Sequence, residues 1–351
     1  MQTVLLTGGA GYIGSHTCLV LLENNFRVVV YDSFINSSKL AIQRVRKIIE
    51  KKVCDLDRKL FIWQGDIRDE ASLKNAFKYF NQREIPIEAV IHFAGLKSVS
   101  ESFLESKEYW DVNVNGSKTL LKVMDLYGCS KIVFSSSAAV YDSSSNPILK
   151  ENNNLSPTSP YGETKLEVEK ILEHYFLKKQ RKWANVILRY FNPIGAHFSG
   201  LIGEDPKTKP TNLIPLLTEA CANFNTLEIY GNDWPTKDGT CIRDFIHVMD
   251  LAEAHLQSLL HIQNIQSKHL VLNVGTGKGT TILQLIKVFE VINKCKIKYK
   301  FSKRREGDIS QSIADNSLIL STLNWKNKRD IKDMCMDSWK WKQINPKGYK
   351  H

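Results

Sequence analysis

Two side chains that could exchange a proton stand four residues apart in this sequence. In Ser159-Pro160-Tyr161-Gly162-Glu163-Thr164-Lys165 and the apolar positions that follow, Leu166, Val168, Ile171 and Leu172, the period is helical, so Tyr161 and Lys165 share one helix face. A free phenol titrates near ~10 and a lysine near ~10.4. An ammonium fixed beside the phenol favours the phenolate, which makes Tyr161 a competent base near neutral pH. Upstream, Ile132-Val133-Phe134 runs into Ser135-Ser136-Ser137. That sets hydroxyls at the C-terminal end of a strand, the edge where open α/β sheets hold ligands. Ser137 is placed there to hold a substrate hydroxyl and help pass its proton to Tyr161. Taken singly, these pieces are commonplace: most Tyr-Lys pairs at this spacing are exposed helical couples, and serines at strand ends mostly form turns. The signal is their order along one strand–helix series.

The same series opens with Val4-Leu5-Leu6-Thr7-Gly8-Gly9-Ala10-Gly11-Tyr12-Ile13-Gly14. A buried strand runs into Gly8-x-x-Gly11-x-x-Gly14 and a helix follows. Glycines let the backbone approach a pyrophosphate, and the helix N-terminus offers unpaired N–H groups and a positive dipole end. A second strand ends in Asp32, about 20 residues on, where an acid bonds the ribose hydroxyls of a dinucleotide. A carboxylate there repels a 2′-phosphate, so the cofactor expected is NAD rather than NADP. Asp66, after the third strand, is a candidate adenine contact. It competes with a plain role as a helix N-cap.

The elements that must position these residues are legible as short apolar strands at Thr3–Thr7, Arg27–Asp32, Leu60–Gly65, Ala89–Ala94, Lys131–Ser137 and Asn185–Phe191. They alternate with amphipathic segments such as Ser38–Lys51, Glu70–Phe80 and Glu101–Tyr127. This rhythm predicts a parallel sheet covered on both faces. The second half is less regular, with strands expected at Leu227–Tyr230, Ile242–His247, Leu270–Val274 and Ile297–Phe301. Helices are expected there at Leu213–Asn223, Met249–His261 and Thr281–Ile292. The expected class is α/β: a Rossmann-type doubly wound parallel sheet over residues 1–191, with a smaller mixed α/β C-terminal substrate domain over residues 192–351.

Composition narrows the partners. The net charge of +11 comes from lysines and arginines spread along the chain, with only short clusters such as Lys178-Lys179-Gln180-Arg181-Lys182. A solvated basic surface is therefore expected and nucleic acid is not. The seven cysteines form no CxxC pair, which fits a reducing compartment, and no Cys/His spacing suggests a metal. A first strand at Thr3 leaves no room for a signal peptide, and no apolar run reaches the ~20 residues of a membrane helix. A cytoplasmic protein is expected, with no membrane contact.

Over nearly its whole length the chain resembles the extended short-chain dehydrogenase/reductases, and among them the UDP-glucose 4-epimerase family. The matching segments are TGGAGYIGSH (Thr7–His16), IHFAGLKSVSES (Ile91–Ser102), VFSSSAAVY (Val133–Tyr141), SPYGETK (Ser159–Lys165), RYFNPIGAH (Arg189–His197), GEDP (Gly203–Pro206), NLIP (Asn212–Pro215), DGTCIRDFIHVMDL (Asp238–Leu251), NVGTG (Asn273–Gly277) and RREGD (Arg304–Asp308). The resemblance implies interconversion of UDP-glucose and UDP-galactose, through transient oxidation at carbon 4 with tightly bound NAD, turning of the 4-keto sugar, and re-reduction. It implies cofactor contacts from Tyr12, Ile13, Asp32, Asn36, Ser37, Asp66, Ile67, Phe93, Ala94, Lys97, Tyr161, Lys165 and Phe191. UDP-sugar contacts are implied for Ser137, Asn192, Asn212, Leu213, Arg243, Arg305 and Asp308, and a homodimer for the assembly.

The chain departs from the family pattern at Ala139, Asp142 and Val112. Four residues past Asp308, where some members carry tyrosine, stands Ser312. A small residue at that wall leaves room for an N-acetyl group, so UDP-GlcNAc and UDP-GalNAc are further candidate substrates. Two other functions compete. A nucleotide-sugar 4,6-dehydratase needs an acid after Ser135-Ser136, where this chain has Ser137-Ala138. A non-catalytic NAD-binding scaffold on the same fold has no need of Tyr161 and Lys165.

Overall fold

The computed structural model describes residues 1–142, 147–179, 183–207, 210–263, 265, 267–305 and 308–349. Five strands open the chain: β1 (Thr3–Thr7), β2 (Arg27–Asp32), β3 (Leu60–Gln64), β4 (Ile87–His92) and β5 (Lys131–Ser137). The helices among them are α1 (Tyr12–Glu23), α2 (Lys39–Ile49), α3 (Glu70–Asn81), α4 (Val99–Leu104), α5 (Ser106–Tyr109) and α6 (Gly116–Leu126). The short β6 (Ile148–Leu149), the long α7 (Pro160–Lys178), β7 (Ala184–Tyr190) and β8 (Asn192–Ile194) follow. The remainder holds α8 (Leu213–Asn223), β9 (Leu227–Tyr230), β10 (Ile242–His247), α9 (Val248–Gln263), β11 (Lys268–Val274) and β12 (Gly279–Thr281). Last come α10 (Ile282–Asn293), β13 (Tyr299–Ser302), β14 (Gln311–Ala314), α11 (Ser317–Leu323) and α12 (Ile331–Ile344).

Seven strands form one parallel sheet in the order β11-β7-β5-β4-β1-β2-β3. Val4, Leu5 and Leu6 of β1 and Val28 to Tyr31 of β2 have no exposed surface. Strands covered on both faces must be apolar on both, which is why they read as unbroken hydrophobic runs. One face packs against α1, α2, α9 and α11 through residues such as Leu19, Val45, Leu256 and Ile319. The other packs against α3, α6 and α7 through Phe77, Leu120, Val168 and Leu172. The strand order reverses between β1 and β4, so their C-terminal ends open the crevice in which such sheets bind ligands. A second sheet, β12-β10-β14-β6 with β8 on β10, and the β13-β9 pair lie outside this layer. Leu217, Ile229, Phe245, Phe289 and Met334 pack a separate core there.

Two expectations need correction. The division at residue 191 is crossed: β11 runs in register with β7 from Lys268 on Ala184 to Val274 on Tyr190, and α9 covers the main sheet. The apolar side chains of β11, with Leu272 and Val274 fully buried, complete a layer that would otherwise end on a bare β7 edge. The expected helix Glu101–Tyr127 is interrupted at Glu105 (φ −117°, ψ 37°) and widens to a π-helical turn at Trp110–Asn115. The serine run at 143–145, Gln180 to Lys182 of the basic cluster, and Glu306-Gly307 of the RREGD segment lie outside the described residues. No helix among the described residues is long and apolar enough to cross a membrane.

The second sheet is tied together at Asp244. Its buried carboxylate accepts from Thr276 N (2.9 Å), Thr276 Oγ1 (2.7 Å), Gly277 N (2.9 Å) and Ala314 N (3.2 Å). Asp244→Ala strands these donors and should cost about 3 kcal/mol of stability. Denaturant unfolding checks it, and a loss below about 1 kcal/mol would show that the carboxylate is not what joins the three segments.

Candidate active site

α7 carries the proton-transfer pair. Ser159 caps it, its Oγ accepting from Gly162 N at 3.2 Å, and Pro160 opens the first turn. Such a cap contributes about 1 kcal/mol and fixes where the helix starts. The helix packs its Tyr161–Lys165 face on β5, leaving the two residues 8% and 6% exposed. Lys165 Nζ donates to the Ser135 carbonyl at 2.9 Å and lies 5.0 Å from the Phe134 ring centre and 5.8 Å from that of Tyr161. The Ser137 hydroxyl accepts from Ala139 N at 3.2 Å and is the neighbour whose side chain favours the Tyr161 phenolate.

The electrostatics differ from the expectation. Burial pushes the Tyr161 phenol up to about 12, and the group that pulls against this is Ser137, not Lys165. Burial also lowers Lys165 to about 8, with Glu169 opposing. The ammonium is spent on a backbone carbonyl instead of the phenol oxygen. Converting Tyr161 to a base near neutral pH therefore requires positive charge beyond what the protein alone sets beside it.

The glycine loop fits a dinucleotide. Gly8 has φ +66°, and a Cβ there would lie 2.7 Å from Ala94 N; a Cβ on Gly14 would lie 2.5 Å from the Gly8 carbonyl. These two glycines let the loop fold tightly against the start of α1 and the end of β4. At Gly11 a Cβ would meet only the Gly8 carbonyl, at 3.2 Å, so that side of the loop is open. No side chain caps α1, so its first turn, with Tyr12 and Ile13, would meet a phosphate with N–H groups and dipole. Asp32 accepts from Ala10 N (2.9 Å), Phe34 N (2.9 Å) and Ser37 Oγ (2.7 Å). Three donors leave about one of the roughly four lone-pair sites of a carboxylate for a ribose hydroxyl. These groups suit NAD.

The other expected cofactor residues surround this crevice in different states. Asn36 is exposed on the bend after β2. Ile67 is buried, and Phe93 packs on His255 with ring centres 4.7 Å apart. Ala94 follows β4 beside Gly8, and Phe191 is buried against Val140, Tyr141 and Ala314. Asp66 is no helix cap, because Asp69 caps α3. Its carboxylate takes a bidentate grip from Arg68 (3.1 and 2.8 Å), which holds it well below the usual carboxylate range.

The small sheet gathers expected substrate residues. Asn192 pairs opposite Phe245, and Arg243 opposite Ser312. Arg243 and Asp308 form an ion pair, and Arg305 stacks on Tyr230, 3.9 Å from its ring centre. Leu213 begins α8, and Asn212 precedes it without capping it. The Asn212 amide instead donates to Glu204 Oε1 at 2.8 Å, and the same oxygen receives Lys97 Nζ at 3.1 Å. Glu204 thus joins a loop of the main sheet to the helix of the substrate side. Sequence reasoning noted its GEDP segment without giving the residue a role. It also assigned none to Asn113. From the π turn, Asn113 Oδ1 accepts from Leu96 N (2.7 Å) and its Nδ2 donates to Thr164 Oγ1 (3.0 Å), joining the β4 loop to α7. Two asparagines inside an apparent helix are poor helix formers and were the available hint. Among the described residues no group of three or more His, Cys, Asp or Glu is placed to hold a metal.

A model of the NAD dependent epimerase/dehydratase family matches residues 4–275. The chain belongs to that family. Relatives of this epimerase-family chain include the UDP-glucose 4-epimerase of Yersinia enterocolitica, 46% identical over 350 residues that cover 99% of each sequence. The UDP-glucose-4-epimerase of Stenotrophomonas maltophila, solved with bound NAD and formylated UDP-arabinopyranose, is similar at a TM-score of 0.91 and 40% identity, over 99% of both chains. That of Bifidobacterium longum, in complex with NAD+ and UDP, has a TM-score of 0.90 and 41% identity, over 99% of this chain and 100% of the other.

Proposed function

We propose that this chain is an NAD-dependent UDP-glucose 4-epimerase that interconverts UDP-glucose and UDP-galactose in galactose metabolism. The observation that carries the proposal is the burial of Tyr161 and Lys165 against Ser135 to Ser137, at the sheet edge that also bears the open glycine cradle. Full-length relatedness to UDP-glucose 4-epimerases supports it. When bound, NAD accepts the hydride from carbon 4 of the hexose, returns it to the opposite face of the ketone, and brings a positive ring charge. Tyr161 takes the proton of the 4-hydroxyl and later gives it back, with Ser137 holding the hydroxyl between them. Lys165 supplies a charge behind the phenol. Arg243 and Arg305 grip the diphosphate, Asp308 and Asn192 orient the nucleotide sugar, and Asn212 with Leu213 presents the start of α8. The hexose itself must be held loosely, because a ring fixed at every hydroxyl returns to its starting epimer. The dehydratase alternative lacks its acid, since Ser137 and Ala138 stand where one is required.

The same reading extends to N-acetylated sugars. Ser312 is a small buried residue directly across the strand pair from Arg243, where a tyrosine would take up far more of the wall. We also propose a homodimer. The α4–α5 segment and the residue after it expose Val99, Phe103, Leu104 and Trp110, at 46, 54, 84 and 37% of their surface. An apolar group of this kind on one layer suits a second copy of the chain. The cytoplasm is the proposed compartment; all seven cysteines are free, five of them buried.

Tyr161→Phe should keep NAD but lose turnover of UDP-galactose by about 10²-fold or more; a coupled assay at fixed NAD content reads this, and near-normal turnover would remove Tyr161 from its role. Purified enzyme should also convert UDP-GalNAc, and Ser312→Tyr should abolish that conversion while sparing UDP-galactose; no turnover of the N-acetyl sugar by the parent protein would limit the activity to the simple hexoses. Sedimentation should give twice the chain mass, falling to a monomer in Phe103→Glu/Leu104→Glu; a monomeric parent would exclude the dimer.

A further inference from the structure

One buried charged cluster is not used by the steps above. Glu169 lies one helical turn past Lys165 and two past Tyr161, on the same face of α7. Its carboxylate meets the guanidinium of Arg189 on β7, with Nε–Oε1 3.0 Å and Nη2–Oε2 2.6 Å. The side chains are 6% and 4% exposed. Ser136 Oγ donates to the same carboxylate at 2.5 Å. Arg189 Nη1 also donates to Tyr141 Oη and to the Glu151 carbonyl, each at 3.1 Å.

Stability alone does not explain this pair. A buried ion pair costs more to desolvate than it returns, and an apolar pair of like volume commonly does as well. Its location suggests another reason. Ser136 stands between Ser135, whose carbonyl receives Lys165 Nζ, and Ser137, whose side chain favours the Tyr161 phenolate. Gripping Ser136 from behind fixes both neighbours. The carboxylate is also the charge that opposes the effect of burial on Lys165.

The other titratable groups facing this pocket carry no compensating charge. His92 on β4 is near Lys165 and is held neutral by burial at about 3. His255 on α9 touches Ser135 Oγ through Nε2 at 3.3 Å and is lowered to about 4. Tyr190 on β7, beside Tyr161, has its phenol pushed up and stays neutral. Arg189, on the same strand, pairs with Glu169 and is not among the groups that perturb Lys165.

We infer that Glu169, clamped by Arg189, is a positioning residue for the Tyr161–Lys165 pair: its negative charge keeps Lys165 an ammonium, and its bond to Ser136 fixes the strand end that both catalytic side chains touch. The inference rests on the roles given to Tyr161 and Lys165 above.

The test compares Glu169→Gln and Glu169→Gln/Arg189→Met with the parent. The double variant removes the guanidinium that the single one leaves buried and unpaired, so it carries the test if the single variant does not fold. In the NAD-loaded enzyme, kcat for UDP-galactose should fall, with its alkaline limb moved down by about one pH unit and KM changed less than twofold. A second readout needs no turnover. A lysine lowered by burial to about 8 in the fold and titrating near ~10.4 when unfolded makes the protein more stable as pH rises through that window, because the unfolded chain then binds the extra proton. The melting temperature should show this rise beginning at lower pH in the Glu169 variants and missing in Lys165→Met. An alkaline limb and a melting profile both unchanged in the variants would overturn the inference. The melting arm reports Glu169–Lys165 coupling whether or not the enzyme turns over, so failure of this inference and failure of the catalytic reading give different results.

Discussion

The structure is organised around one packing contact, the seating of α7 on the C-terminal half of β5. It drives Lys165 out of water and leaves its ammonium a single backbone acceptor, the Ser135 carbonyl at 2.9 Å. Burial of this kind disfavours charge on lysine and phenol alike. Burial therefore works against the protonation states the pair needs, and two neighbours oppose it in part. Ser137 favours the phenolate and Glu169 favours the ammonium. Every other feature of the main sheet can be seen as holding this contact in register. Val168 and Leu172 fill the layer beneath it, Ser159 sets the first turn, and the Asn113 amide ties the helix to the loop after β4.

Two ligands of opposite demands meet at the edge of this sheet. The cofactor side is mostly backbone, glycines without Cβ atoms and an uncapped helix start, with the Asp32 carboxylate already oriented by three donors. Backbone does not swing away, so a cofactor held this way stays through the cycle. The expected substrate side is built from side chains, Asn192 on β8, Arg243 on β10 and Arg305 in the loop after β13, which can adjust. The halves are stitched by Tyr12 Oη donating to the Gly195 carbonyl at 2.6 Å and by Glu204 between Lys97 and Asn212.

What the sequence disclosed follows from the range of the forces involved. Fully buried strands announce themselves as apolar runs, so β1 and β2 were found to the residue and β5 with its serines likewise. The spacing of Tyr161 and Lys165 is a local property of a helix and survives folding unchanged. The strand at Leu270–Val274 was visible, but its partner was not: that its neighbour is β7, some 80 residues earlier, is a fact of tertiary pairing that no window of sequence contains. The π turn at Trp110–Asn115 was missed because its Asn113 bonds a loop distant in sequence, at Leu96, and periodicity is blind to such bonds. The direction of the Lys165 ammonium was misjudged for the same reason. Proximity along the helix was legible, and competition from the Ser135 carbonyl was not.

The late arrival of β11 has a bearing on how the molecule is made. During synthesis, the first six strands of the main layer leave the ribosome about 80 residues before the seventh, with β7 as their open margin. Until Lys268–Val274 emerges, that margin is a row of unpaired backbone groups flanked by apolar side chains, the kind of template on which nascent chains stick to one another. The main layer cannot close before about half of the chain after β7 has been translated. Biogenesis thus couples the two lobes, and a ribosome that stalls between them leaves a nascent chain in need of a chaperone.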